Sequence, residues 1–114
     1  MLPAAYRLKN KKDFERVAQK GRRFFSTFFI ARISPTPLDH PKVGVIISGK
    51  VAKQAVVRNR LKRWIMNDVQ TQIDMLCPTE YVLIPKKHIV NESHSALTAD
   101  LTVLLRKIHE EWNT

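Results

Sequence analysis

The sequence predicts an α+β sandwich with one small sheet, and three observations predict it. Apolar residues recur at every third or fourth position over 57–73 and again over 97–112, the period of helices that bury one face. Three short runs, 24–33, 42–48 and 80–85, are rich in aromatic and β-branched residues, as strands are. The two kinds of segment alternate in the order helix, strand, strand, helix, strand, helix, with proline and glycine between them. At 114 residues the chain fits a single domain, 1–114, with one core.

Residues 1–9 hold Pro3, Arg7 and Lys9 and read as an irregular basic arm. Asn10 can cap a short helix that places Asp13 in its first turn and Phe14, Val17 and Ala18 on one face, and Gly21 suits its end. The run 24–33 reads as one strand, with Phe28, Ile30 and Arg32 on one face and Phe29, Ala31 and Ile33 on the other. A proline-rich turn from Ser34 to Pro41 follows, then a second strand over 42–48, read as the hairpin partner of the first. A central helix is expected over 52–72. The nearly all-apolar run 80–85 suits a strand inside the sheet. Lys86, Lys87 and His88 form a small basic cluster. Asn91, Ser93 and Ser95 offer caps for a last helix whose stripe is Leu97, Leu101, Leu104, Leu105, Ile108 and Trp112.

Charge points to the partner. The net charge is +10 and the pI about 10.2, a balance that favours a nucleic acid or an anionic surface. No apolar run approaches the roughly 20 residues of a membrane span, so a membrane is not expected as partner. Cys77 is the only cysteine, which excludes an internal disulfide and suits a reducing cytoplasm. The charge concentrates in the central segment: Lys50, Lys53, Arg58, Arg60, Lys62 and Arg63 occur with no acidic residue among them. Val57, Leu61, Ile65, Val69 and Ile73 mark the apolar stripe, and Arg58, Lys62 and Arg63 fall on the other side, around Asn59 and Met66, with Arg60 near its opposite border. A solvated helix face normally mixes acids with bases. One that does not suits a polyphosphate.

Enzymatic patterns are missing from the spacing. His40, His88, His94 and His109 are scattered, and Gly21, Gly44 and Gly49 form neither a phosphate-binding loop nor a dinucleotide fingerprint. The carboxylates are dispersed too. Taken alone, the sequence reads as a binder of nucleic acid and not a catalyst: spacing offers no catalytic residue and no metal ligand, and no small-molecule substrate is expected.

The segment from Ala55 through Arg58-Asn59-Arg60 to Arg63 resembles the Arg-Asn-Arg signature of the bacterial ribonuclease P protein family. The likeness extends over most of the chain: Arg7, Asp13, Phe14 and Gly21 resemble the family's first helix, the segment from His40 to Val45 its strand ahead of the signature, and 80–84 and the last helix the remainder. It implies an αβββαβα-like arrangement with a small mixed sheet, a left-handed βαβ crossover through the signature helix, and a ribosomal protein S5 domain 2-like fold. It also implies a role: with ribonuclease P RNA, the protein assists endonucleolytic removal of the 5′ leader of precursor tRNA, while the RNA subunit performs the cleavage and, with the substrate, binds the Mg²⁺. By position, Lys50, Lys53, Arg58, Asn59, Arg60, Lys62 and Arg63 would contact the catalytic RNA, and Phe14, Phe28, Ile30 and Arg32 the leader. Asn59 has a second reading, as a residue bonded to nearby backbone, and Phe28 and Ile30 have one as core residues. Gly49, Met66, Asn67, Ala18 and Arg32 depart from the family pattern and thin the expected RNA contacts. The other class with this charge and size is a structural RNA-binding protein such as a ribosomal component.

Overall fold

The computed structural model describes residues 2–112, apart from the side chain of His88 in the basic cluster. A short 3-10 turn, Ala4–Tyr6, precedes α1 (Lys11–Lys20), β1 (Arg22–Phe25), β2 (Phe29–Ile33), β3 (Lys42–Val45), α2 (Ala55–Thr71), β4 (Glu80–Pro85) and α3 (His94–Glu111). The strands form one mixed sheet in the order β1-β2-β4-β3. β2 pairs antiparallel with β1 and β4, and β3 pairs parallel with β4. Helix α2 therefore connects two adjacent parallel strands, as the family resemblance implies.

Two strand expectations are corrected. Residues 24–33 are not one strand but a hairpin, β1 and β2, with Phe24 opposite Ala31 and Phe25 opposite Ile30. The cause lies far along the chain. Asp100 on α3 accepts hydrogen bonds from the Ser26 hydroxyl at 2.6 Å and from the backbone N–H groups of Thr27 and Phe28 at 3.2 and 2.9 Å. That carboxylate satisfies the donors of a tight turn and breaks a run whose β propensity is otherwise continuous. The turn also takes Phe28 out of the alternation, and its ring packs against the main core. The second correction concerns β3, which is not the hairpin partner of β2, because β4 lies between them.

One sheet face carries Phe24, Phe29, Ala31, Ile33, Val43, Val45, Tyr81 and Leu83 into the main core. There α2 contributes Leu61, Ile65 and Val69, and α3 contributes the stripe from Leu97 to Ile108, with Trp112 packed at its end. Ser93 caps α3, accepting from the Ala96 N–H at 3.1 Å. Cys77 is buried in the same core, which pushes its thiol above the ordinary value.

Helix α1 lies on the opposite face. Asn10 caps it, accepting from the Lys12 N–H at 3.0 Å. Its Val17 is buried with Leu8 and Val82, flanked by Phe14, Ala18, Ile46 and Ile84. Arg16 ties the helix to the sheet through the nearly buried carboxylate of Glu80 at 2.8 Å, and through Asp13 at 3.1 Å. Those two hydrogen bonds, Glu80 first, raise the guanidinium above its ordinary pKa. Gly21 ends α1 because nothing larger fits: a Cβ there would meet the Val17 carbonyl and approach the Ile33 backbone N at 3.0 Å. The basic arm is docked rather than loose. The Leu8 N–H donates to the Val43 carbonyl at 2.9 Å, and Leu2 and Leu8 are buried.

Candidate nucleic-acid interface

Helix α2 begins at Ala55, not at residue 52. Val51 and Ala52 are buried in the turn before it, where both N–H groups donate to the Ser48 carbonyl. Lys50 and Lys53 therefore project from a loop at the helix entrance, both exposed. Gln54 at the N-cap gives no side-chain bond. Arg58 works in its place: its Nη1 donates to the carbonyls of Ala52 and Lys53, each at 2.8 Å. The first arginine of the signature thus holds the loop that carries the two lysines. Arg58→Ala is expected to remove about 1–2 kcal/mol of stability and to speed backbone amide exchange over 48–54 in the free protein. Mass-spectrometric hydrogen exchange measures this.

The three signature side chains diverge. Asn59, whose side chain has no hydrogen-bond partner among the described residues, is exposed beside Lys62 and Arg63. Arg60 points to the other flank, where its guanidinium lies 5.5 Å from the centre of the Trp64 ring and Trp64 stacks on His94 at 4.7 Å. Met66, expected among the basic residues, is 3% exposed and packs in the main core.

A groove of about 450 Å³ runs between α2, β3 and the basic arm. Asn59, Lys62, Arg63 and Met66 form one wall, and Arg7, Leu8 and Lys9 the other. Its floor is Phe14 lying over Gly44, so closely that a Cβ on Gly44 would fall among the ring atoms. A second hollow of about 440 Å³ continues along α1, lined by Lys9, Lys11, Phe14, Glu15, Ala18, Gln19 and Ile46. Phe14 and Lys9 belong to both, so the basic wall of α2 and the open sheet face form one continuous surface.

Of the residues expected at the leader, Phe14 lines this surface, and Ile30 and Arg32 share its face, standing opposite Ile84 and Val82 of β4. Phe28 does not join them. Arg32 links β2 to the end of α1, donating from Nη2 to the Gln19 carbonyl at 2.8 Å, while its Nε is shielded from solvent without a partner. Spacing alone missed Ile46, Ile84 and Gly44, because their meeting depends on strand order. The arm's Arg7 and Lys9 were visible as charges but not as a groove wall.

The ion pairs of the described residues involve Arg16, Arg22 and His94. None of Lys50, Lys53, Arg60, Lys62 or Arg63 is paired with a carboxylate among the described residues. Groups of three or more His, Cys, Asp or Glu that could hold a metal ion are absent among the described residues. No described helix is long and apolar enough to cross a membrane.

Fold and site together define a small basic α+β protein with a cation-walled, aromatic-floored groove between its central helix and its sheet. The chain belongs to the ribonuclease P protein family: the family model described as Ribonuclease P matches residues 2–109. It is 34% identical over 91 residues to the ribonuclease P protein component of Picosynechococcus, covering 80% of this chain and 78% of that one. The Bacillus velezensis protein component is 34% identical over 106 residues, covering 89% and 87%. The fold is that of the ribonuclease P proteins of Staphylococcus aureus (TM-score 0.81, 24% identity, 90% of this chain and 86% of that one) and Thermotoga maritima (TM-score 0.80, 22% identity, 90% and 96%).

Proposed function

We propose that this protein binds ribonuclease P RNA through the basic wall of α2 and guides the single-stranded 5′ leader of precursor tRNA along the groove and the open sheet face. The observation that carries the reading is that Lys62 and Arg63, in no ion pair among the described residues, line one groove with Asn59 and Phe14. Phosphates of the RNA meet Lys62, Arg63, and Lys50 and Lys53 on the loop that Arg58 holds. Arg60 adds a contact on the α3 flank. A leader of variable sequence is recognised by features every nucleotide has, a flat base against Phe14 and Ile30 and a phosphate near Arg32.

In this reading the chemistry is hydrolysis of the phosphodiester at the leader junction. Mg²⁺ supplies charge stabilisation and an activated water there. On this reading the ions are held by the RNA subunit and the substrate, and no group of three or more His, Cys, Asp or Glu among the described residues competes for them. The protein's work is to hold the substrate strand and neutralise phosphate repulsion, which lowers the Mg²⁺ the RNA needs. Adding the protein to a bacterial ribonuclease P RNA and precursor tRNA at low Mg²⁺ is expected to restore leader removal. Failure with several such RNAs would overturn the reading.

A further inference from the structure

We propose that Phe25, with Arg23 and Lys86, forms an additional binding position for one unpaired nucleotide of RNA, at the β1 edge of the open sheet face. The proposal rests on the leader reading above and extends it.

Strand register supplies the first observation. Phe25 stands opposite Ile30 and Ile30 opposite Ile84, and residues paired across strands point to the same face. Phe25, Ile30 and Ile84 therefore form one row, and Ile84 and Ile46 pack on the same Leu8, Val17 and Val82 cluster, with Ile46 lining the α1 hollow. The row is apolar and incompletely covered: Ile30, Ile46 and Ile84 are half-buried and Phe25 is 45% exposed. An exposed phenylalanine at the end of such a row leaves a stacking surface open to solvent.

Charge supplies the second. The Arg23 guanidinium lies 4.5 Å from the centre of the Phe25 ring and the Lys86 ammonium 5.9 Å from it. Lys86 is fixed there by donating to the Ser26 carbonyl at 2.7 Å. Arg23 stands directly opposite Arg32 in the β1–β2 pair, and like charges facing each other across strands repel. Neither arginine belongs to an ion pair among the described residues. A polyanion running over this face relieves that repulsion.

The chemistry identifies the ligand. An aromatic face ringed by cations takes a base on the ring or on the guanidinium plane, and a phosphate on the charges. An acidic peptide would use the charges but not the ring. β1 is three strand spacings from β3, about 14 Å at about 4.8 Å each, so the position takes a nucleotide further along the strand that enters at Phe14.

The test uses the complex of this protein with ribonuclease P RNA and precursor tRNAs whose leaders are shortened one nucleotide at a time. Phe25→Leu keeps the apolar bulk and removes the aromatic face, and Phe25→Trp keeps that face. The wild type and Phe25→Trp are expected to gain affinity once the leader is long enough to reach β1. Phe25→Leu is expected to lose most of that gain, on the order of tenfold, while binding the shortest leaders as the wild type does. Equal affinity of Phe25→Leu and wild type at every leader length would overturn the proposal and leave the groove reading standing. A wild type indifferent to leader length would overturn both.

Discussion

Glutamine in place of Lys53, Lys62 and Arg63 together is expected to weaken binding to ribonuclease P RNA by on the order of 10³-fold at fixed salt. Hydrogen bonds to charged groups are worth about 1.5–3 kcal/mol each, and the lower figure taken three times gives this factor. The folded protein should barely notice. All three side chains are exposed, and none is paired with a carboxylate of the described residues. Removing them also relieves self-repulsion in a chain of net charge +10. Direct titration of labelled RNA measures the affinity, and a thermal melt verifies the fold. The same exchange at Lys107, exposed on α3, changes the charge but not this surface and should cost far less.

Gly44→Val is expected to destabilise the fold by about 3 kcal/mol, a drop in Tm on the order of 10 °C. The cause is the Phe14 ring, which occupies the space a side chain at 44 would need. Gly44 is buried in the middle of a strand, so the backbone cannot yield without disturbing its pairing with β4. The ring must swing out instead, which removes the groove floor as well. Phe14→Ala in the same chain should recover part of the stability, and the coupling between the two sites, read from a double-mutant cycle, locates the clash. Equal losses in the two backgrounds would mean that the ring and the strand do not compete.

The helices were legible in the sequence because their signals are local. Asn10 caps where it was expected to, Ser93 is the one of three offered caps that serves α3, and the stripe from Leu97 to Ile108 is buried throughout. The sheet was less legible because its pairings are not local. The hairpin at Ser26–Thr27 depends on Asp100, more than 70 residues away, and no pattern within 24–33 announces it. Strand order had the same difficulty: β4 inserts between β2 and β3 although it follows both in the chain. The basic segment was visible as charge, but its division was not. Arg58 turns to its own loop, Asn59 to the groove and Arg60 to the α3 flank. Helical angle alone places Arg58 and Asn59 on the polar side and Arg60 near its border, and cannot say which meets a carbonyl. Met66 differs for a similar reason. It sits at the edge of the apolar stripe and is buried in the main core while bordering the groove.

The central claim is that the cations of α2 and its entrance loop meet phosphates. The slope of log K for ribonuclease P RNA against log salt concentration tests it most directly, measured for the wild type and for the triple glutamine variant at Lys53, Lys62 and Arg63. Each phosphate contact contributes about 0.7–0.9 to that slope, so the variant's slope is expected to be shallower by about 2 or more. An unchanged slope would mean that these residues face solvent in the complex, and that the RNA docks elsewhere.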